Sequence, residues 1–111
     1  MRSDRERLHD TSEALAQIER YAIQGQAAFQ QDGLIQIWIV HHLQIMGEAS
    51  NNLSDAPLDQ HPEVPWALIV EFRNILVHEY FRVNLEIVWK IVERDLPAFK
   101  DSIERILLET S

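Results

Sequence analysis

The sequence predicts an all-α protein, an antiparallel bundle of four main helices plus one short extra helical turn, and three observations lead there. Only three Gly and four Pro occur in 111 residues, so the chain holds few helix breakers. Apolar residues recur at threes and fours over long stretches. Residues that favour helix starts, Ser3, Asp32 and Asn84, stand just before those stretches. With no internal repeat and no low-complexity stretch, residues 1–111 read as a single domain. A domain of this size buries roughly two-thirds of the surface its unfolded chain exposes, so it folds without a covalent or metal staple.

Ser3 with Glu6 three residues later is a capping-box pattern, and Leu8, Leu15, Ile18 and Ala22 follow at helical spacing. The first helix is expected from about Asp4 to Gln24, ending at Gly25. Ala27 to Gln31 suits one short turn, and Asp32 then caps a second long helix reaching about Asn52. That helix carries two stripes, Trp38, Ile45 and Ala49 on one side and Ile35, Ile39, Leu43 and Met46 on another, so it should be central, with both sides covered. Leu53 to Pro65 contains three prolines and reads as the connector. Pro65 suits the first turn of a third helix, which should end between His78 and Phe81. From Asn84 the series Leu85, Val88, Val92, Leu96, Phe99, Ile103 and Ile106 describes a last long helix, kinked at Pro97.

The composition excludes several classes of function. With no cysteine there is no disulfide, no zinc-thiolate site and no cysteine nucleophile. The charged start MRSDRERLHD is not followed by a signal-peptide core, and the stretch from Leu34 to Met46 is too short and too polar to span a bilayer. The expectation is a cytoplasmic protein with no membrane role. A net charge of −8 also argues against a protein that coats nucleic acid unselectively, since phosphate binding rests on a basic surface.

Within the third helix Arg73 lies seven residues after Trp66 and so shares its apolar stripe. Burying a guanidinium without partners is costly, so the position calls for a carboxylate, a ligand phosphate or a subunit interface. The simplest partner is Glu48 or Glu71, in a purely structural ion pair. His78 and Tyr80 follow within two turns. At about 100° per residue Arg73 and Tyr80 share a face while His78 points some 140° away, so the three converge only if the helix ends there or a second subunit contributes.

The segment RNILVHEY, Arg73 to Tyr80, resembles the R-x4-H-x-Y signature of the HEPN superfamily, with Asn74 as the polar residue after the arginine. The stretches IWIVHHLQIMGEAS, HPEVPW, RNILVHEYF and EIVWKIVERDLPAFK resemble the HepT-like branch in order and spacing, over almost the whole chain. The resemblance implies a dimeric HEPN-like fold and a metal-independent endoribonuclease without cofactor, its two motif helices meeting at a cleft between subunits. It implies Arg73 and His78 as catalytic residues, with Asn74 supporting. The chemistry suits these side chains: attack of an RNA 2′-hydroxyl on the adjacent phosphate needs proton transfer, which His78 performs near neutral pH, and relief of negative charge, which Arg73 provides. The resemblance further implies a partner, a minimal nucleotidyltransferase antitoxin that uses ATP to add AMP to the motif tyrosine, here Tyr80. An adenylate there would set an anionic phosphate beside Arg73 and His78 and fill the space meant for RNA.

Blander readings stand beside these. A helix-terminal histidine such as His78 also suits capping of the last carbonyls, and Tyr80 and Phe81 also suit core or interface packing. His41 and His42 diverge by about 100° on a helix and cannot chelate one ion together, so no metal site is expected; one should face the core and the other solvent. Trp38, Trp66 and Trp89 read as core or dimer packing. The acidic residues near the two ends, Asp4, Glu6, Glu104 and Glu109 among them, read as solvated surface or an antitoxin-facing patch. Arg82, Lys90 and Arg94 cluster in sequence near the motif and are the candidate RNA-binding cations, doubled in a dimer. The rival to a ribonuclease is a non-catalytic module that binds a nucleotide or presents substrate to the nucleotidyltransferase. A third reading is a purely structural helical partner.

Overall fold

The computed structural model describes residues 2–79 and 83–109, and these are helical throughout, with no strand among them. The elements are α1 (Asp4–Ala22), α2 (Gln26–Gln31), α3 (Gly33–Asn51), α4 (Asp55–Gln60), α5 (Trp66–His78), α6 (Leu85–Lys90), a π-helical turn (Ile91–Asp95) and α7 (Leu96–Glu109). The last three run on as one long helix, and the all-α class is as expected.

The caps read from the sequence form as hydrogen bonds. The Ser3 hydroxyl accepts the Glu6 backbone N–H at 3.1 Å, and the Glu6 carboxylate accepts the Ser3 N–H at 3.2 Å, so two of the unpaired donors at the start of α1 are satisfied together. Asp32 accepts from Leu34 N–H at 2.9 Å, and Asn84 accepts from the N–H groups of Glu86 and Ile87. The first helix stops at Ala22, two residues short of the expected end, because Gly25 takes φ +95°, a left-handed conformation that glycine adopts without a Cβ clash.

The connector departs from expectation, since Leu53 to Pro65 contains the short helix α4. Ser54 occupies its N-cap and the buried Pro57 falls in its first turn, where the missing N–H would have had no helical partner. Pro65 sits at the N-cap of α5 rather than within its first turn. Where a kink was expected at Pro97, a π-helical turn lies just before it. Pro97 has no N–H to donate, and in a regular α-helix its ring would press on the Glu93 carbonyl. Instead the backbone widens through Ile91–Asp95, where the Leu96 N–H reaches back five residues to the Ile91 carbonyl.

α3 is the central helix, packed between α1 and α5, while α1 also packs on α7. Its stripe of Ile35, Ile39, Leu43 and Met46 is buried and meets Leu8, Leu15, Ile18, Leu76, Val88, Ile103 and Ile106 in one continuous core. Each such side chain stabilises the fold by roughly 1.5–3 kcal/mol relative to leaving it in water. The other stripe is only partly covered. Ala49 is buried and Trp38 half-buried, its indole N–H donating to the Gln17 carbonyl at 2.8 Å, but Ile45 remains 36% exposed. Trp66 and Trp89 lie in the core, and their indole N–H groups donate to the His61 carbonyl at 3.0 Å and to Glu93 at 3.1 Å. No helix among the described residues is long and apolar enough to cross a membrane.

Candidate active site

Arg73 emerges from α5 directly onto α3, and the contact is set by Gly47. A Cβ at Gly47 would overlap both Cβ and Cγ of Arg73, so the aliphatic base of the arginine lies flat on bare helix backbone. From there the guanidinium runs outward between two neighbours. Its Nη2 forms an ion pair with the Glu48 carboxylate, and its Nη1 donates to the Asn74 side-chain oxygen at 2.9 Å. The Nε is buried and has no hydrogen-bond partner among the described residues. Of the two carboxylates weighed from sequence, Glu48 is the one in contact.

The end of α5 is held by α3 as well. The Gln44 amide donates to the Leu76 carbonyl at 3.2 Å, satisfying one of the acceptors that the last turn of a helix leaves unpaired. The helix closes with the Glu79 N–H on the Ile75 carbonyl at 2.8 Å, so His78 is its last residue and is exposed. One condition for convergence of the motif is therefore met, because the helix ends at His78.

Arg73 opens onto a surface depression of about 480 Å³ walled by the start of α1, by α3 and by α5. His41, Gln44 and Glu48 line it from α3, Asn52 from the C-cap of that helix, and Val77 from α5. The structure thus brings Arg73 and Asn74 together with Glu48, while His78 does not line this depression. Tyr80 and Arg82 lie outside the described residues. Lys90 is exposed at the end of α6, and Arg94 lines a separate cavity of about 350 Å³ with Leu68, Phe72 and Phe99. Two arginines of the Arg73 depression, Arg2 and Arg7, were not evident from the sequence. They stand far from the motif in sequence, and no local pattern marks them.

The neighbouring histidines differ in exposure, though neither joins the core and their ring centroids lie 5.2 Å apart. His42 is half-buried against the Trp38 ring, with centroids 4.5 Å apart and its Nδ1 2.8 Å from the Trp38 carbonyl. His41 is exposed and borders the depression.

Compared with known proteins, residues 11–106 match the family model described as ribonuclease HepT-like. The chain belongs to the HepT-like family of the HEPN superfamily. It is 33% identical over 108 residues to a Thermococcus cleftensis protein named "Probable ribonuclease HepT", covering 95% of this chain and 96% of that one. It is 38% identical over 71 residues to the Methanocaldococcus jannaschii protein named "Putative RNase MJ1380", covering 64% of this chain and 65% of that one. It is 35% identical over 79 residues to the Caldanaerobacter subterraneus protein named "Putative RNase TTE0752", covering 71% of this chain and 70% of that one. No solved structure matches the chain. The HepT-like span contains the whole of Arg73 to Tyr80, whereas Arg2 and Arg7 precede it.

Proposed function

We propose that this HepT-like chain is a metal-independent endoribonuclease, the toxin of a toxin–antitoxin pair, working as a homodimer with Arg73 and His78 at a cleft between subunits. The observation that carries the reading is the setting of Arg73. A guanidinium fixed at its base by Gly47 and at its tip by Glu48 and Asn74 faces a polar depression, five residues before a histidine that ends the same helix. An arginine so held meets a phosphate with little further loss of side-chain freedom. Relatives named as ribonucleases support the same class of activity.

The reaction needs no group beyond these side chains. The 2′-oxygen of one nucleotide attacks the adjacent phosphorus as one His78 takes its proton. The P–O5′ bond breaks, and the His78 of the partner subunit returns a proton to the leaving 5′-oxygen, giving a 2′,3′-cyclic phosphate and a 5′-hydroxyl. Arg73 donates to the non-bridging oxygens, where negative charge accumulates in the transition state, and Asn74 orients it. Apolar side chains left partly bare support pairing of two subunits, since Ile75 and Val77, which flank buried Leu76 on α5, are each more than 40% exposed.

Control falls to a minimal nucleotidyltransferase antitoxin that transfers AMP from ATP to the Tyr80 phenol and releases pyrophosphate. The added phosphate would compete for Arg73 and block the substrate site. The chain carries a net charge of −8, so RNA binding should be weak, salt-sensitive and selective for a structured or terminal feature.

Induced expression of this chain alone, beside His78→Ala and Arg73→Ala variants shown by circular dichroism to fold, tests the proposal. Growth arrest and RNA cleavage by the wild type alone are expected. Folded variants as toxic as the wild type, or no cleavage by any of them, would remove the catalytic assignment and leave a binding module.

A further inference from the structure

The depression beside Arg73 reverses the electrostatic sign of the molecule. The chain holds 18 acidic residues against 10 Lys and Arg, yet the ionised residues lining this depression are three arginines, Arg2, Arg7 and Arg73, and two carboxylates, Asp10 and Glu48. The two carboxylates are already matched, Asp10 with Arg2 at 2.7 Å and Glu48 with Arg73. Arg7 enters no ion pair among the described residues. Among the residues lining the depression, the excess positive charge therefore rests on Arg7 of α1, with Arg2 just before that helix.

We infer that Arg7, with Arg2 beside it, forms a subsite for the phosphates of single-stranded RNA that flank the phosphate held by Arg73. The inference rests on the ribonuclease reading and adds where the strand runs. Three features favour a strand held by its backbone. An incoming phosphate meets Arg7 without breaking a direct ion pair, although the charge of Arg7 also acts on the nearby Asp4 and Glu6 carboxylates. The Arg2–Asp10 pair lies at the surface, both side chains well exposed, so exchanging its carboxylate for a phosphate costs little. Among the described residues no aromatic ring other than His41 lines the depression, so the contacts these residues offer a strand are to phosphate. In-line attack by a 2′-oxygen also needs a nucleotide free to rotate out of a duplex, which favours a single strand.

The test is binding of a fluorescent 2′-O-methyl oligonucleotide, which cannot be cleaved, to the full chain between 50 and 200 mM salt. Each phosphate contact on a single strand contributes a slope of about 0.7 in log affinity against log salt. Arg7→Gln should weaken binding at low salt and make the slope about 0.7 shallower, so that the variant loses about 2.6-fold less affinity than wild type over this range. Arg2→Gln should act in the same direction and serves if Arg7→Gln does not fold. Lys100→Gln, which removes a charge from α7 outside the depression, should leave the slope unchanged. Arginine variants whose slope equals that of Lys100→Gln would overturn the subsite. If Arg73→Gln alone shallows the slope, the subsite falls and the ribonuclease reading survives. If Lys90→Gln or Arg94→Gln does so instead, the strand runs elsewhere. Absence of binding by the wild type would remove both.

Discussion

Gly47 and Arg73 pack so closely that there is room for only one side chain between α3 and α5 at this level, and it belongs to the arginine. A helix-interior glycine normally weakens a helix by roughly 0.5–1 kcal/mol relative to alanine. Its presence in the middle of α3 is explained by this contact.

Gly47→Ala is therefore expected to reverse the usual preference. The helix gains propensity, but the new methyl meets Arg73 near the backbone of α5, where nothing flexible can yield, and overpacking of this kind costs about 1–3 kcal/mol. Gly33→Ala is the control, because a Cβ there meets nothing within 4 Å. Urea melts should show Gly47→Ala destabilised by about 1–2 kcal/mol and Gly33→Ala unchanged or slightly stabilised. Equal behaviour of the two would mean that α5 shifts freely on α3.

The Arg73–Glu48 pair is half-open, with 23% of the arginine and 51% of the glutamate side chain exposed. Water screens it, so a double-mutant cycle of Arg73→Ala and Glu48→Ala should give a coupling of about 0.5–1 kcal/mol. Arg73→Ala should destabilise more than Glu48→Ala, since its aliphatic stem is also lost from Gly47. A coupling of several kcal/mol would mark Arg73 as chiefly a structural residue.

Acid should loosen the tie between α1 and the start of α4. The Ser54 hydroxyl and then its backbone N–H donate to Asp4 and hold its carboxyl below its ordinary value of 3.8, against a slight opposing effect of burial. Because the folded value is the lower one, the stabilisation is complete above about pH 4 and is lost as pH falls through the depressed value. Glu6 acts in the same direction, its carboxyl lowered by the Ser3 N–H and then the Ser3 hydroxyl. Asp4→Asn should be less stable than wild type near neutral pH, with the gap closing below about pH 4 in urea midpoints. A gap independent of pH would show that charge on Asp4 contributes nothing.

Much of this architecture was legible in the sequence because local rules govern it. Ser3, Asp32 and Asn84 cap helices where their chemistry predicts, and the stripe from Ile35 to Met46 is buried as its period requires. Arg73 was conspicuous because a charge fell on an apolar stripe. What stayed hidden depends on tertiary approach. Gly47 in α3 carries no pattern that says which side chain will lie on it, and Arg2 and Arg7 reach the site only because α1 packs along α3. The prolines of the connector suggested an irregular segment, but Pro57 falls at the one part of a helix that tolerates it. Ile45 was expected beneath a neighbour and is partly bare, since no described element of a single subunit covers that side.

Cleavage of a short RNA by the purified chain, compared with the folded His78→Ala variant and with a substrate carrying 2′-deoxyribose at the cut site, tests the central claim most directly. The expected results are products ending in a 2′,3′-cyclic phosphate, undiminished cleavage in the presence of a chelator, no cut at the deoxy position, and a loss of about 10²–10⁴-fold in rate for His78→Ala. A His78→Ala variant as active as wild type, or cleavage that ignores the 2′-hydroxyl, would contradict it.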